Sequence, residues 1–234
     1  LTTHDERKSL LQNYGEVHFL DFAAVQQLTA EQFMCYLKEQ EGVETLLMGY
    51  DHHFGKNRMG DFSLLYDMKK KYGFDLQRVA AQDVENIAVS STKIRHSLQQ
   101  GDVERANALL GYQFSYIGKV VSGNKIGREI GYRTANINVE KEFRLIETAG
   151  VYATYVDYDG KEYKSMTYIG KKPTVNNDET ENIEVHLFDF DGDLYDKDII
   201  VRFVKKIRGE HKFESLDALK KQIQIDEKVI KEIL

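Results

Sequence analysis

The sequence predicts two units, an α/β layered unit with a parallel sheet and then a small antiparallel β-barrel with one packed helix. Three observations predict this. Helix and strand patterns alternate as far as Gly111, strand patterns dominate from Phe114 onward, and one long amphipathic helix closes the chain. The boundary is expected near Gly111–Tyr112, giving units 1–111 and 112–234, with no internal repeat or low-complexity segment. With 234 residues and 41% hydrophobic content, there is enough apolar material for a real core.

In the first unit, His4 to Tyr14 reads as a helix stopping before Gly15, and Glu16–Leu20 as a strand. Thr29 followed by Gln32 is a capping-box start for an amphipathic helix running to about Gln40. Val43–Met48, a short apolar run ending at Gly49, has the pattern of a buried parallel strand. A helix follows from about Asp61 to Lys71, with weaker strands near Val79 and Ile87. Ser90-Ser91-Thr92 supplies helix-starting hydroxyls before Lys93–Gln99, and a last helix, Val103–Leu110, closes on Gly111. The chain opens at Leu1 in what reads as a strand end, so a preceding segment is expected to be missing.

In the second unit, strands are expected at Phe114–Val121, Val151–Asp157, Tyr163–Ile169, Ile183–Phe190 and Ile199–Val204. Asp159-Gly160 and Asp191-Gly192 supply turn chemistry. The one proline, Pro173, falls in the loop after the third of these strands. Leu216, Leu219, Ile223 and Ile230 recur at roughly helical spacing near the end.

Composition narrows the function. The formal net charge of −6, with basic residues scattered among more numerous acids, argues against a protein that holds nucleic acid by its backbone. A local phosphate site needs only a few backbone amides and one arginine and stays open. One cysteine, Cys35, permits no intramolecular disulfide, points to a reducing cytoplasm and excludes a zinc site built on two cysteines. Beside Phe33, Met34 and Leu37 it reads as a core filler. No apolar stretch approaches a membrane span and no signal peptide is apparent, so no membrane partner is expected.

The richest segment is Gly118-Lys-Val-Val-Ser-Gly123-Asn-Lys-Ile-Gly127-Arg128-Glu-Ile-Gly131-Tyr132-Arg133-Thr134-Ala-Asn136. Four glycines, including Gly123, Gly127 and Gly131, free the backbone to turn N–H groups toward phosphate oxygens. Thr134 and Asn136 are two apart, so on an extended chain their oxygens share a face. Neutral oxygens suit Mg²⁺, which takes much of its negative charge from nucleotide phosphates. The ending differs from a Walker loop, and by spacing alone the run could equally be a flexible hairpin loop.

The run resembles the signature of the riboflavin kinase family, a Gly-rich loop leading into Gly-aromatic-Pro-Thr-Ala-Asn. The resemblance continues through Gly150-Val151-Tyr152-Ala153, Ile169-Gly170-Lys-Lys-Pro173-Thr174, Ile183-Glu184-Val185-His186-Leu187, Asp193-Leu194-Tyr195 and Ile207-Arg208-Gly209-Glu210, covering essentially residues 112 to 234. It implies transfer of the γ-phosphoryl group of ATP to riboflavin, giving FMN. Thr134 and Asn136 would then hold Mg²⁺ and nucleotide phosphates, Glu184 would be the base, and Arg208 would lie near flavin and nucleotide. On residue type alone, Glu184 would be a solvent-facing strand residue and Arg208 a surface cation. Three positions depart from the family pattern: Arg133 replaces proline, Tyr168 an asparagine and Asp196 a glycine.

Gly49-Tyr50-Asp51-His52-His53-Phe54-Gly55 through Asp61, and Val89-Ser90-Ser91-Thr92-Lys93-Ile94-Arg95, resemble the FMN adenylyltransferase half of bacterial FAD synthetases. That half has a Rossmann-like nucleotidyltransferase fold and transfers AMP from ATP to FMN, giving FAD. Ser91 and Thr92 at a helix start with Arg95, and Asp51 at a strand end, would form its site; on residue type alone Ser90–Thr92 is a helix cap. The family's upstream His-x-Gly-His motif does not occur in the sequence, so this chain is expected to make FMN but little FAD. FAD as the main product from FMN and ATP would overturn that expectation. The partners expected are small molecules, with no nucleic acid, and the state expected is a monomer or weak oligomer. The alternatives are a catalytically weakened flavin- or nucleotide-binding regulatory module and a small-barrel nucleic-acid binder.

Overall fold

The structure, a computed structural model, describes residues 1–84, 87–123, 131–172 and 180–234. The chain divides into two compact units, His4–Val89 and Ser90–Leu234, the latter together with Leu1–Thr3. Packing therefore divides the chain at Val89/Ser90, earlier than Gly111–Tyr112, because the two helices after Ser90 pack on the barrel.

In unit His4–Val89 the helices are α1 (His4–Leu11), α2 (Phe22–Val25), α3 (Ala30–Glu39) and α4 (Phe62–Tyr72). The Thr29 hydroxyl accepts from Gln32 N while the Gln32 side chain accepts from Thr29 N, the reciprocal cap the sequence signals. Strands β1 (Thr45–Gly49) and β2 (Asp75–Val79) pair in parallel, joined by the crossover through α4. Met34, Leu37, Met48, Leu65 and Phe74 form the core between these elements. Cys35 is half-buried, and its thiol is pushed up by hydrogen bonding to Glu39 and then by burial, which disfavours the thiolate. A short antiparallel pair, β3 (Asp83–Val84) with β4 (Ile87–Ala88), ends the unit. Glu16–Leu20 forms no strand: nearly every residue is exposed, so the alternation has no buried face to hold a register.

In the second unit, α5 (Ser91–Gln99) and α6 (Val103–Leu110) lead into a closed barrel. Its strands are β5 (Ser115–Val121), β6 (Ala135–Asn138), β7 (Gly150–Tyr158), β8 (Lys161–Lys172), β9 (Thr180–Leu187) and β10 (Asp198–Gly209). The spatial order is β10-β5-β6-β9-β8-β7, with every pair antiparallel. Closure removes free sheet edges. Tyr116, Val120, Tyr152, Val156, Ile169, Ile183, Val185, Ile199, Val201 and Phe203 are buried at alternating positions, the inward phase of each strand. The opposite phase of β7 is buried too. Val151 and Ala153, with Met166 and Phe188, pack beneath Ile230 of the terminal helix α7 (Leu216–Ile233). Asn107 on α6 fastens the helix pair to the barrel, donating to Phe203 O at 2.8 Å and accepting from Phe114 N at 2.7 Å.

Turn chemistry follows the sequence at Asp159-Gly160, where both φ angles are positive (50° and 71°). The turn after β9 comes earlier than Asp191-Gly192, at Phe188-Asp189, with Asp189 at φ 54°. Asp196, which replaces a glycine of the family pattern, sits at φ 59°. Aspartate tolerates this left-handed region better than most residues, which accounts for the exchange.

Candidate functional site

Of the expected kinase residues, Thr134, Asn136 and Glu184 lie together on the outer face of the barrel, and Arg208 lies farther along the same face. Because inward and outward positions alternate, burying Ile183 and Val185 turns Glu184 and His186 outward. The strand register then aligns one row across the sheet: Asn136 pairs with Glu184, Glu184 with Tyr168, Tyr168 with Val151, and Val151 with Arg208. At about 4.8 Å per strand, the row spans roughly 19 Å around the barrel wall.

At one end of the row, Thr134 Oγ1 donates to Glu184 Oε2 at 3.1 Å and Asn182 Nδ2 to Glu184 Oε1 at 2.5 Å. Asn136 is 8% exposed and lies against Gly123: a Cβ built on Gly123 would stand 2.1 Å from Asn136 Nδ2 and 2.5 Å from Cγ. Gly123 is therefore required by close approach, whereas a Cβ on Gly131 (φ 88°) meets nothing within 4 Å and its need is conformational. Gly127 lies outside the described residues, as do Pro173 and Thr174.

Tyr168 joins the two ends. Its hydroxyl donates to Glu210 Oε1 at 2.6 Å, and its ring crosses Gly170, where an added Cβ would meet the hydroxyl at 2.1 Å. Burial pushes this phenol up strongly, and the bond to Glu210 and the charges of Glu210 and Glu184 add to it, while Arg208 pulls it down. Glu184 and Arg208 thus act on one hydroxyl from opposite directions. Arg208 is held by Asp226 of α7, with Nη2 2.8 Å from Oδ2, and lies over the Phe213 ring at 5.6 Å.

A cleft of about 710 Å³ opens beside Thr134, lined by Val120, Gly131, Arg133, Ala135, Val185–Tyr195 and Glu227. Its wall is anchored from two sides. His186 Nδ1–H donates to the Arg133 carbonyl at 2.7 Å, and Tyr132 donates to Glu227 Oε2 at 3.2 Å while packing edge-on against His186. Burial and the Glu227 charge push the Tyr132 phenol up, and Lys231 secures Glu227 at 2.7 Å. These tethers hold the approach to Thr134 where proline would otherwise fix φ. The Arg133 guanidinium pairs with Asp191, another residue of the cleft lining, at 3.2 Å, both side chains being largely exposed (74% and 97%). Because exposed pairs contribute about 0.2–1 kcal/mol, Arg133→Gln is expected to change urea-measured stability by less than about 1 kcal/mol. A larger loss would give the pair a structural role that its exposure does not.

The expected adenylyltransferase residues fall in different units, Asp51 in the first and Ser90 to Arg95 in the second. Asp51 is exposed in the turn directly after β1, and His52 and His53 beside it are exposed. Ser90 caps α5, accepting from Lys93 N at 3.4 Å; Ser91, Thr92 and Arg95 are exposed around the helix start. Among the described residues, no three His, Cys, Asp or Glu side chains are grouped to hold a metal.

Sequence reasoning missed Asp226, Glu210, Tyr132 and Asp191 as neighbours of the site. An aromatic residue beside the Thr-Ala-Asn run is a usable signal for Tyr132, and the block Ile207-Arg208-Gly209-Glu210 is one for Glu210; Asp226 and Asp191 are joined to the site only through long-range pairing.

A family model described as riboflavin kinase matches residues 110–234, and one described as FAD synthetase matches residues 1–93. The bifunctional riboflavin kinase/FMN adenylyltransferase of Pseudomonas fluorescens is 38% identical over 203 residues, 86% of this chain and 65% of that protein. The protein of the same name from Haemophilus influenzae is 39% identical over 185 residues, covering 79% and 59%. The chain thus spans less than two thirds of the length of these relatives. A crystal structure named as a macrolide-efflux protein from Streptococcus pneumoniae superposes with TM-score 0.86 and 32% identity, covering 98% of this chain and 74% of that one. Among the described residues, no helix is long and apolar enough to cross a membrane.

Proposed function

The chain belongs to the riboflavin kinase family, whose model covers more than half of it, and on that premise we propose that it transfers the γ-phosphoryl group of ATP to the ribityl 5′-hydroxyl of riboflavin, giving FMN. The observation that carries this reading is the direct placement of Glu184 against Thr134 and Asn136 beside a cleft large enough for a nucleotide.

Phosphoryl transfer depends mainly on positioning and on stabilising charge. Glu184, oriented by donors on both carboxylate oxygens, accepts the proton of the riboflavin hydroxyl as it attacks. Gly123 and Gly131 let the loop backbone approach the phosphates, with Gly127 assigned the same part, and the cleft holds the nucleotide. Thr134 and Asn136 fit Mg²⁺: a hydroxyl and an amide oxygen beside a carboxylate leave room for water and phosphate ligands. Bound there, the ion would neutralise charge building up on the phosphates. Arg208 stabilises substrate oxygens at the other end of the row.

Residues 1–111 are assigned to an FMN adenylyltransferase half, with Asp51, Ser90, Ser91, Thr92 and Arg95 serving AMP transfer to FMN. The FAD synthetase match over 1–93 and the exposed hydroxyls at the start of α5 support this. The substrates are small molecules, and the single cysteine suits the cytoplasm. Incubation with riboflavin, ATP and Mg²⁺, followed by chromatographic separation of FMN from FAD, tests the kinase reading. FMN formation is expected; tight flavin binding with no ATP-dependent phosphorylation would instead favour a regulatory module.

A further inference from the structure

Among the described residues, the one buried carboxylate belongs to the terminal helix. Asp226 is 2% exposed, and a buried charge must be paired and hydrogen-bonded. Arg208 Nε lies 3.1 and 2.9 Å from its two oxygens and Nη2 2.8 Å from Oδ2, and Gln222 Nε2, one turn earlier on α7, donates to Oδ1 at 2.9 Å. The guanidinium itself is planar and carries five N–H groups. Asp226 takes its Nε/Nη2 edge, Nη1 donates to Gly209 O at 3.1 Å, and Phe213 covers one face. Among the described residues, these bonds leave one N–H on each of Nη1 and Nη2.

Stability alone is a poor reason for such an arrangement, since a buried ion pair is often no more stable than apolar packing. Fixing the plane of a fork-shaped cation is something apolar packing does not do. We infer that Asp226 is a positioning residue of the phosphoryl-transfer site: it locks Arg208 by its Nε/Nη2 edge so that the remaining N–H groups of Nη1 and Nη2 are presented to an oxygen of the bound flavin or nucleotide. This rests on the reading of Arg208 given under Proposed function. It makes the helix farthest along the chain part of the site.

The test compares Asp226→Asn, Arg208→Lys and the double variant in the full chain, with KM and kcat measured separately for riboflavin and ATP. Because a misplacement of about 1 Å can cost on the order of 10²-fold, Asp226→Asn is expected to lower kcat/KM about 10–10²-fold. The loss should fall mainly on KM for one substrate, and Arg208→Lys should add little to it. A purely structural carboxylate would lower the melting temperature and leave both KM values unchanged. If Arg208→Lys impairs the reaction while folded Asp226→Asn keeps wild-type KM values, the inference is overturned and the role of Arg208 stands. If Arg208→Lys is itself wild-type, both fail. Should Asp226→Asn not fold, Gln222→Ala leaves the pair charged but unbraced. A KM rise of about two- to fivefold, consistent with loss of one hydrogen bond, supports the inference, and an unchanged KM overturns it.

Discussion

Glu184→Gln is expected to fold normally and to lose about 10²–10⁴-fold in FMN formation, the usual contribution of a general base. The side chain is half-buried on the outer face of β9, so the exchange removes nothing from the barrel interior. Glutamine keeps an oxygen that can accept from Thr134 or Asn182, so the local hydrogen bonds largely persist while the ability to take a proton is lost. Steady-state rates beside a circular dichroism spectrum separate the two effects. Near wild-type turnover in a folded variant would remove Glu184 from the reaction.

Gly123→Ala should cost nearly as much by a different route. The added methyl would meet Asn136 at 2.1 Å from Nδ2, 2.5 Å from Cγ and 2.8 Å from Oδ1, far inside van der Waals contact. Asn136 is buried on β6 and paired in register with Glu184, so it has little room to swing away. Either the loop lifts or the amide leaves its place, and in both cases the oxygen donors lose alignment with the phosphates. A fall of about 10²-fold in kcat/KM is expected, with only a modest change in melting temperature. Gly131→Ala is the comparison: it has open space around it and only backbone strain to absorb, about 1 kcal/mol or somewhat more. Full activity in Gly123→Ala would mean that Asn136 does not hold the phosphates or their metal.

Most of the barrel was legible because its strands alternate cleanly and its turns carry local chemistry, as at Asp159-Gly160. The capping box at Thr29 was equally local. β6 has no legible sequence signal because four residues are too few to establish a period. β10 ran past Val204 to Gly209 through two register shifts, which blur the alternation. Glu16–Leu20 failed in the opposite sense, alternating without a surface to bury against. In the candidate site, Thr134 and Asn136 stand out by their oxygens and two-residue spacing, whereas Glu184 and Arg208 are singled out only by family resemblance. The alignment of Asn136, Glu184 and Arg208 in one row, with Thr134 bonded to Glu184, is not visible in the sequence, because it depends on the register of strands far apart in the chain. The partnership of Arg208 with Asp226 and of Tyr168 with Glu210 has no periodic signature at all. Arg133, the departure within the glycine-rich run, is held by contacts distant in sequence, its carbonyl to His186 and its side chain to Asp191.

The most direct measurement is to supply ATP labelled at the γ-phosphorus together with riboflavin and Mg²⁺, isolate the flavin and count the label. Label in the FMN phosphate, lost in Glu184→Gln, is the expected result. A flavin that stays unlabelled, or becomes labelled equally well without Glu184, would contradict a kinase site built on this row of residues.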